Sequence, residues 1–232
     1  EPRESVGGMT VHRVPPPSQP NGNIQTTAWQ TNVELERYAE QLWPEGGGFD
    51  VIHAHDWLVA FAACALKRNF KTPLVATIHA TERGRGGGYL SSEMSRAIHS
   101  TEWWLIYEAW RIIACSGYMA QQIREYFGAP GDKVDVVPNG VDTARFDHLE
   151  RVDLSHFRNL YALPEEKILF YVGRVQFEKG LHTLVDAVPR VLAQFPLAKF
   201  VIAGQGSELD NLRRRAWELD VGAKVLFTGF IS

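Results

Sequence analysis

Cysteine is scarce: Cys64 and Cys115 are the two in a chain of 232 residues. They lie far apart and match no zinc spacing, which excludes a disulfide framework and a zinc ribbon. Long apolar runs are missing too, none reaching the roughly 18 residues that a membrane span needs. No block of like charge occurs, since 24 Lys and Arg stand against 27 Asp and Glu for a net charge of −3. A nucleic-acid footprint and a polybasic membrane anchor are therefore not expected. The opening Glu1-Pro2-Arg3-Glu4 has neither a methionine nor the pattern of a signal peptide. What is plentiful is ordinary globular material, 45% hydrophobic and 22% charged, a balance that excludes wholesale disorder. The length fits one large domain or about one and a half ordinary ones. The expected setting is cytoplasmic and reducing.

Hydrophobic patterning divides the chain into alternating units. Residues 9–14 (MTVHRV) predict a short strand, and 15–30 a Pro-rich, then polar connection. Val33, Tyr38 and Leu42 predict a helix over 31–43, stopped by Gly46, Gly47 and Gly48. Strands at 50–55, 73–79, 111–116 and 134–140 then alternate with helices at 56–69, 91–110 and 117–127. Asp56 and Ser116 stand where helix caps belong. Residues 143–166 lose the pattern and read as an interdomain connection. Alternation resumes with strands at 167–172, 199–204 and 224–229 and helices at 179–195 and 207–219.

Such alternation predicts parallel sheets covered by helices on both faces. The first domain spans 1–142, and 167–232 hold the first half of a second. A doubly wound domain uses about five or six strands. Both domains therefore read as incomplete, and the chain as a fragment whose last strand leaves a hydrophobic sheet edge.

Several constellations fall at the carboxyl ends of strands, where open α/β sheets bind ligands. His53-Ala54-His55-Asp56-Trp57 ends one strand, and alternation sends His53 and His55 to one face. Paired histidines with a carboxylate suit a metal. The HxHxDH hydrolase pattern, however, requires Asp and His where this chain has Trp57 and Leu58. Histidines held by neighbouring strands, or histidines touching substrate, are the other readings. His79 ends the next strand and should share a rim with His55; one nitrogen could meet a sugar hydroxyl while the backbone holds the other. Glu82, Arg83 and the glycines through Gly88 follow. They read either as amides approaching an anion or as a mobile lid. Trp103, Tyr107 and Trp110 repeat at i, i+4, i+7, the spacing of a core stripe, while Glu102, Glu108 and Arg111 argue against membrane insertion. Ser116 lacks the GxSxG frame of a nucleophile elbow.

The stretch from Gly173 to Gly180 is the most informative. Arg174 projects from a strand end, and Lys179 opens the following amphipathic helix. An arginine fork, a lysine point charge and a helix N-terminus would make an anion site. Two solvated surface cations are the alternative. Gly204 and Gly206, past the next strand, would leave room for a bulky ligand beside it.

Taken together, HAHDW (53–57), TIHATERGR (77–85), IIACS (112–116), VPNGVD (137–142), VGRVQFEKG (172–180) and VIAGQGSE (201–208) resemble the retaining GT-B glycosyltransferases of families 4 and 5. The likeness is greatest to bacterial and archaeal glycogen and starch synthases and covers about residues 50–232. It implies two Rossmann-like domains and transfer of glucose from ADP- or UDP-glucose to an α-1,4-glucan. By the same resemblance His79 contacts the donor sugar, and Arg174 and Lys179 grip the diphosphate. Gly173, Gly204 and Gly206 border the donor. His55, Asp56, Trp57, Glu82, Arg83 and Asn139 belong to the acceptor side and the cleft. The family's first glycine-rich loop would precede Glu1, and its E-x7-E helix would follow Ser232.

The implied chemistry needs no metal ion. Negative charge growing on the leaving diphosphate would be met by Arg174, Lys179 and the helix end. The acceptor would attack from the leaving-group face, and domain closure would exclude water. Other readings are a GT-B transferase for another sugar or acceptor, sucrose-type or lipid-linked, and a metal-dependent hydrolase using His53, His55 and His79. A module that binds nucleotide or acceptor without turnover is a further one.

Overall fold

Parallel strands joined by helices build two separate α/β units, Glu1–Val141 and Asp142–Ser232. The structure is a computed structural model and describes residues 3–15, 22–45 and 48–231. The glycine stop at 46–47 and residues 16–21 of the Pro-rich stretch lie outside the described residues.

The first unit opens with an antiparallel hairpin, β1 (Arg3–Val6) and β2 (Met9–His12). Helix α1 (Ile24–Glu45) follows. It starts seven residues before the expected Thr31 because Asn23 caps it, its Oδ1 accepting from Thr26 N at 3.0 Å. β3 (Ile52–His55), β4 (Leu74–Ile78), β5 (Arg111–Ala114) and β6 (Val134–Val136) form one parallel sheet in that order. They are joined by α2 (Ala60–Phe70), the short α3 (Glu82–Arg85), α4 (Glu93–Glu108) and α5 (Gly117–Phe127).

Strands added one after another in the same direction by right-handed crossovers place their helices on the same face. Burial follows that rule. Ala54, Ala76 and Ile112 lie side by side in register and are buried, and they share a core with Cys64, Leu105 and Ile123. Alternate residues of β3, His53 and His55, stand exposed on the opposite face. Among the described residues, the core of this sheet thus lies on the face of Ala54, Ala76 and Ile112.

Helix α4 is turned relative to the aromatic periodicity. Trp103, Tyr107 and Trp110 are 47%, 67% and 63% exposed, whereas Glu102 is 1% exposed and Leu105 and Ile106 are buried. Two stripes competed for the core. The aliphatic one (Ile98, Thr101, Leu105, Ile106, Ala109) fits against alanine-lined strands, where bulkier rings would not. Trp103 and Tyr107 stack on one another instead, their ring centroids 5.3 Å apart.

In the second unit β7 (Lys167–Val172), β8 (Ala198–Ala203) and β9 (Val225–Gly229) are parallel and adjacent in that order, joined by α7 (Leu181–Gln194) and α8 (Leu209–Glu218). Leu181, Val185 and Val188 pack on Phe200 and Ile202. Residues 143–166 contain a 3₁₀ stretch, Thr143–Arg151, and α6 (Ser155–Asn159). They are tied into this unit, with Lys224 Nζ donating to Glu166 Oε1 at 2.9 Å. Among the described residues no helix is long and apolar enough to cross a membrane.

The rotation of α4 sets a clear contrast for mutation. Leu105→Ala should cost about 2–5 kcal/mol, and Trp103→Ala less than about 1 kcal/mol, read as shifts of the urea-unfolding midpoint of the full-length protein. Equal losses would contradict the burial described.

Candidate active site

In the first unit the candidate side chains His53, His55, Asp56 and His79 gather at the carboxyl ends of β3 and β4. Parallel register sets His55 beside Thr77. His53 Nε2 meets Thr77 Oγ1 at 2.7 Å, and the His53 and His55 rings lie 4.4 Å apart. Burial, followed by the nearby imidazoles of His55 and His79, holds His53 below the ordinary histidine range. His55 Nδ1 stands 2.9 Å from His79 Nε2, and His79 Nδ1 stands 3.4 Å from Cys115 Sγ. An imidazole–imidazole–thiol row results. The second nitrogen of His79 is therefore engaged by Cys115 rather than by the backbone, and a sugar hydroxyl reaching His79 would replace one of these neighbours. Among the described residues no group of three or more His, Cys, Asp or Glu is placed to hold a metal ion.

Asp56 does not cap the helix as the sequence reading expected. It makes no side-chain cap bond to the 3₁₀ turn Trp57–Val59. Its N–H donates to Thr77 O at 2.9 Å, and its Oδ1 accepts from His79 N at 2.8 Å. This bracket requires φ +59° and ψ 179°, a region that only glycine enters without strain, at a cost of about 1–3 kcal/mol. Trp57 is likewise corrected as a cleft residue. It is buried with Ala28 and Ile98 in a cluster with α1 and α4, so its indole is not offered to a ligand.

The glycine-rich segment is a hydrogen-bonded turn. Thr81 Oγ1 accepts from Gly84 N at 3.0 Å, and Arg83 Nε donates to Gly88 O at 2.9 Å. The Arg83 guanidinium also lies 4.6 Å over the Tyr126 ring. Arg83 is thus held within the protein rather than offered to an acceptor. Glu82 opens α3; its N–H donates to Glu102 Oε1 at 2.7 Å, and its carboxylate faces Arg85 at 3.9 Å. Asn139 is exposed in the segment after β6. Sequence reasoning missed Glu102 as a site residue, because a glutamate amid aromatics on a helix reads as solvent-facing.

In the second unit a cavity of about 310 Å³ lies at the ends of β7–β9, lined by Val172, Gly173, Arg174, Ala203, Gly204, Gln205, Phe230 and Ile231. Tyr171 Oη donates to Arg174 O at 3.0 Å and fixes the loop. The Arg174 guanidinium is largely exposed and faces Glu178 Oε1 at 3.5 Å. Such a surface pair contributes about 0–1 kcal/mol, so little opposes its transfer to an incoming anion. Lys179 lies in the 3₁₀ turn Phe177–Lys179, outside the cavity lining. Gly180 precedes α7 with no side-chain cap; Thr183 N donates to Gly180 O, which leaves the amides of Leu181 and His182 to another acceptor.

Gly204 and Gly206 have a different task from the one expected. A Cβ on Gly204 would stand 1.9 Å from Gly173 O, and one on Gly206 2.0 Å from Val175 O. The space beside them is filled by the post-β7 loop, so their role is close backbone approach and not room for a ligand on that side. Gly173 N donates to Ala203 O at 3.0 Å and Val175 N to Gln205 O at 2.9 Å, locking the two loops together.

Two parallel α/β units with ligand-ready strand ends are the architecture of GT-B glycosyltransferases, and solved structures agree. Sucrose-phosphate synthase from Thermosynechococcus elongatus superposes with a TM-score of 0.75 at 22% identity, over 100% of this chain and 58% of that one. Residues 1–145 match the family model Glycosyltransferase Family 4, and residues 155–232 match Glycosyl transferases group 1. The chain belongs to Glycosyltransferase Family 4. An uncharacterized glycosyltransferase of Methanocaldococcus jannaschii is 36% identical over 231 residues, 99% of this chain and 58% of that relative. A glycogen synthase of Mycobacterium tuberculosis is 40% identical over 183 residues, 79% of this chain and 42% of that relative. The chain thus spans about half the length of the relatives it matches.

The bracket at Asp56 separates bond from strain. Asp56→Ala loses the bond to His79 N while keeping the strained backbone, and should cost about 1–3 kcal/mol. Asp56→Gly also relieves the backbone and should stay closer to wild type in urea unfolding. A glycine variant no more stable than the alanine one would remove the strain from the account.

Proposed function

We propose that this chain contributes the acceptor-side unit and the diphosphate-gripping half of a retaining glucosyltransferase, transferring glucose from ADP- or UDP-glucose to an α-1,4-glucan. One observation carries the donor half: Arg174 lines a cavity at the carboxyl ends of three parallel strands, with only a weak partner in Glu178. A guanidinium there offers a fork of donors to phosphate oxygens. Lys179 and the uncapped start of α7 add positive potential nearby. The similarity to a glycogen synthase across 183 residues favours a glucan acceptor over a lipid-linked one.

In this reading the bond between the anomeric carbon and the diphosphate breaks as negative charge grows on the leaving oxygen. Arg174 and Lys179 stabilise that charge, a contribution of the kind worth about 3 kcal/mol per preorganised partner. His79, its ring set by His55 and Cys115, orients the sugar. The acceptor hydroxyl attacks from the face the diphosphate leaves, so configuration is retained.

In the full-length enzyme, Arg174→Ala and Lys179→Ala should each lower kcat at least about tenfold, and Arg174→Ala should also weaken the thermal shift given by ADP or UDP. Unchanged turnover in both variants would defeat the diphosphate assignment. A preference for a non-glucosyl donor in the same thermal screen would defeat the choice of sugar.

A further inference from the structure

Beneath the glycine-rich turn lies an acid that the proposed reaction does not use. Glu102 is 1% exposed, and its Oε1 accepts from Glu82 N at 2.7 Å. Its other oxygen, Oε2, is buried without a hydrogen-bond partner. One helical turn earlier, His99 Nδ1 is buried and unpartnered as well. These two atoms face each other 3.8 Å apart. Orphaned buried polar atoms are rare because each forfeits its hydration without compensation. At 3.8 Å the two are too far apart to share a hydrogen bond, so no donor offsets a negative charge on Oε2, and a buried carboxyl without such a partner is favoured in its neutral form.

We propose that Glu102 is a positioning residue for the glycine-rich turn: its carboxyl is held neutral in the core beside His99, leaving Oε1 as a fixed acceptor for the Glu82 amide. The charged surroundings agree with the neutral form. Burial is the largest influence and pushes the carboxyl up to about 8; the Glu82 amide bond works against it, the Glu82 carboxylate with it, Arg85 against it and Asp56 with it. His99 is held below its ordinary range, first by burial and then by Arg83, and Phe127 of α5 stacks on its ring at 4.7 Å. The proton therefore belongs to the carboxyl. The turn held this way carries Glu82 and Arg83 and begins three residues after His79, so Glu102 acts on the rim through Glu82 rather than by touching a ligand.

Linkage fixes the sign. The folded carboxyl titrates above its unfolded value of 4.5, so the folded state holds the extra proton between pH 4.5 and about 8. The contribution is complete below 4.5, and the folding equilibrium constant falls about tenfold per pH unit across that window.

The test compares the full-length wild type with Glu102→Gln, which keeps an acceptor for Glu82 N and carries no titrating proton. Unfolding is followed by urea from pH 5 to 9, and Glu82 amide exchange by NMR. The difference between the two proteins should fall by about one proton's worth up to pH 8, with the Glu82 amide protected in both. Parallel pH curves, or a Glu82 amide exchanging as if free, would overturn the proposal. Should Glu102→Gln fail to fold, the wild-type Glu102 carboxyl is titrated directly by carbon NMR. A midpoint near 8 supports the proposal, and one near 4.5 overturns it. Neither readout involves sugar transfer, so failure of the proposed reaction and failure of this inference are told apart.

Discussion

One carboxylate governs the geometry of the first unit's rim. Asp56, at the end of β3, takes the amide of His79, at the end of β4, while its own amide continues the ladder to Thr77. With that bond, His79 is set against both His55 and Cys115. The backbone at Asp56 is held in a conformation reserved for glycine, and strain of that kind persists only where surrounding structure over-determines it. Parallel pairing on one side and the buried Trp57 on the other supply the constraint.

The second unit reaches the same end by other means. Its strand ends are held by main chain against main chain: Gly204 and Gly206 admit carbonyls that any side chain would exclude. The loop bearing Arg174 is thereby built on β8 as well as β7, and Tyr171 closes it from below. The backbone that carries the guanidinium is thus held before any anion arrives, and only the side chain remains to be ordered.

Much of this was legible in the sequence. The strand–helix alternation located the seven parallel strands within a few residues, since apolar runs bounded by glycine and proline leave little choice. Ser116 caps α5, accepting from Met119 N at 3.1 Å, where a local pattern suffices. His53, His55 and His79 came together because strand period and parallel register are simple rules. What stayed hidden depended on distant partners. Asn32 on α1 accepts from Ala62 N at 2.8 Å and so serves the start of α2 from thirty residues away. Asp56 resembled a cap because its real partner, an amide 23 residues on, has no sequence signature. The turn of α4 was misread because two stripes share one helix, and hydrophobicity alone favours the larger rings. Volume decided otherwise.

That last case explains why Glu102 is where it is. Once the aliphatic stripe turns inward, its neighbour on the same face must enter the core, whatever its polarity. A lone carboxylate so placed would be intolerable as an ion, yet there it meets the one backbone amide that opens α3. That amide lies at the start of a helix of only four residues, too short to offer more than its own first N–H groups. The same rotation that exposes Trp103 and Tyr107 therefore delivers an acceptor to the turn that follows β4. The packing of a helix and the shape of the rim are in this way one decision, taken by side-chain volume rather than by charge.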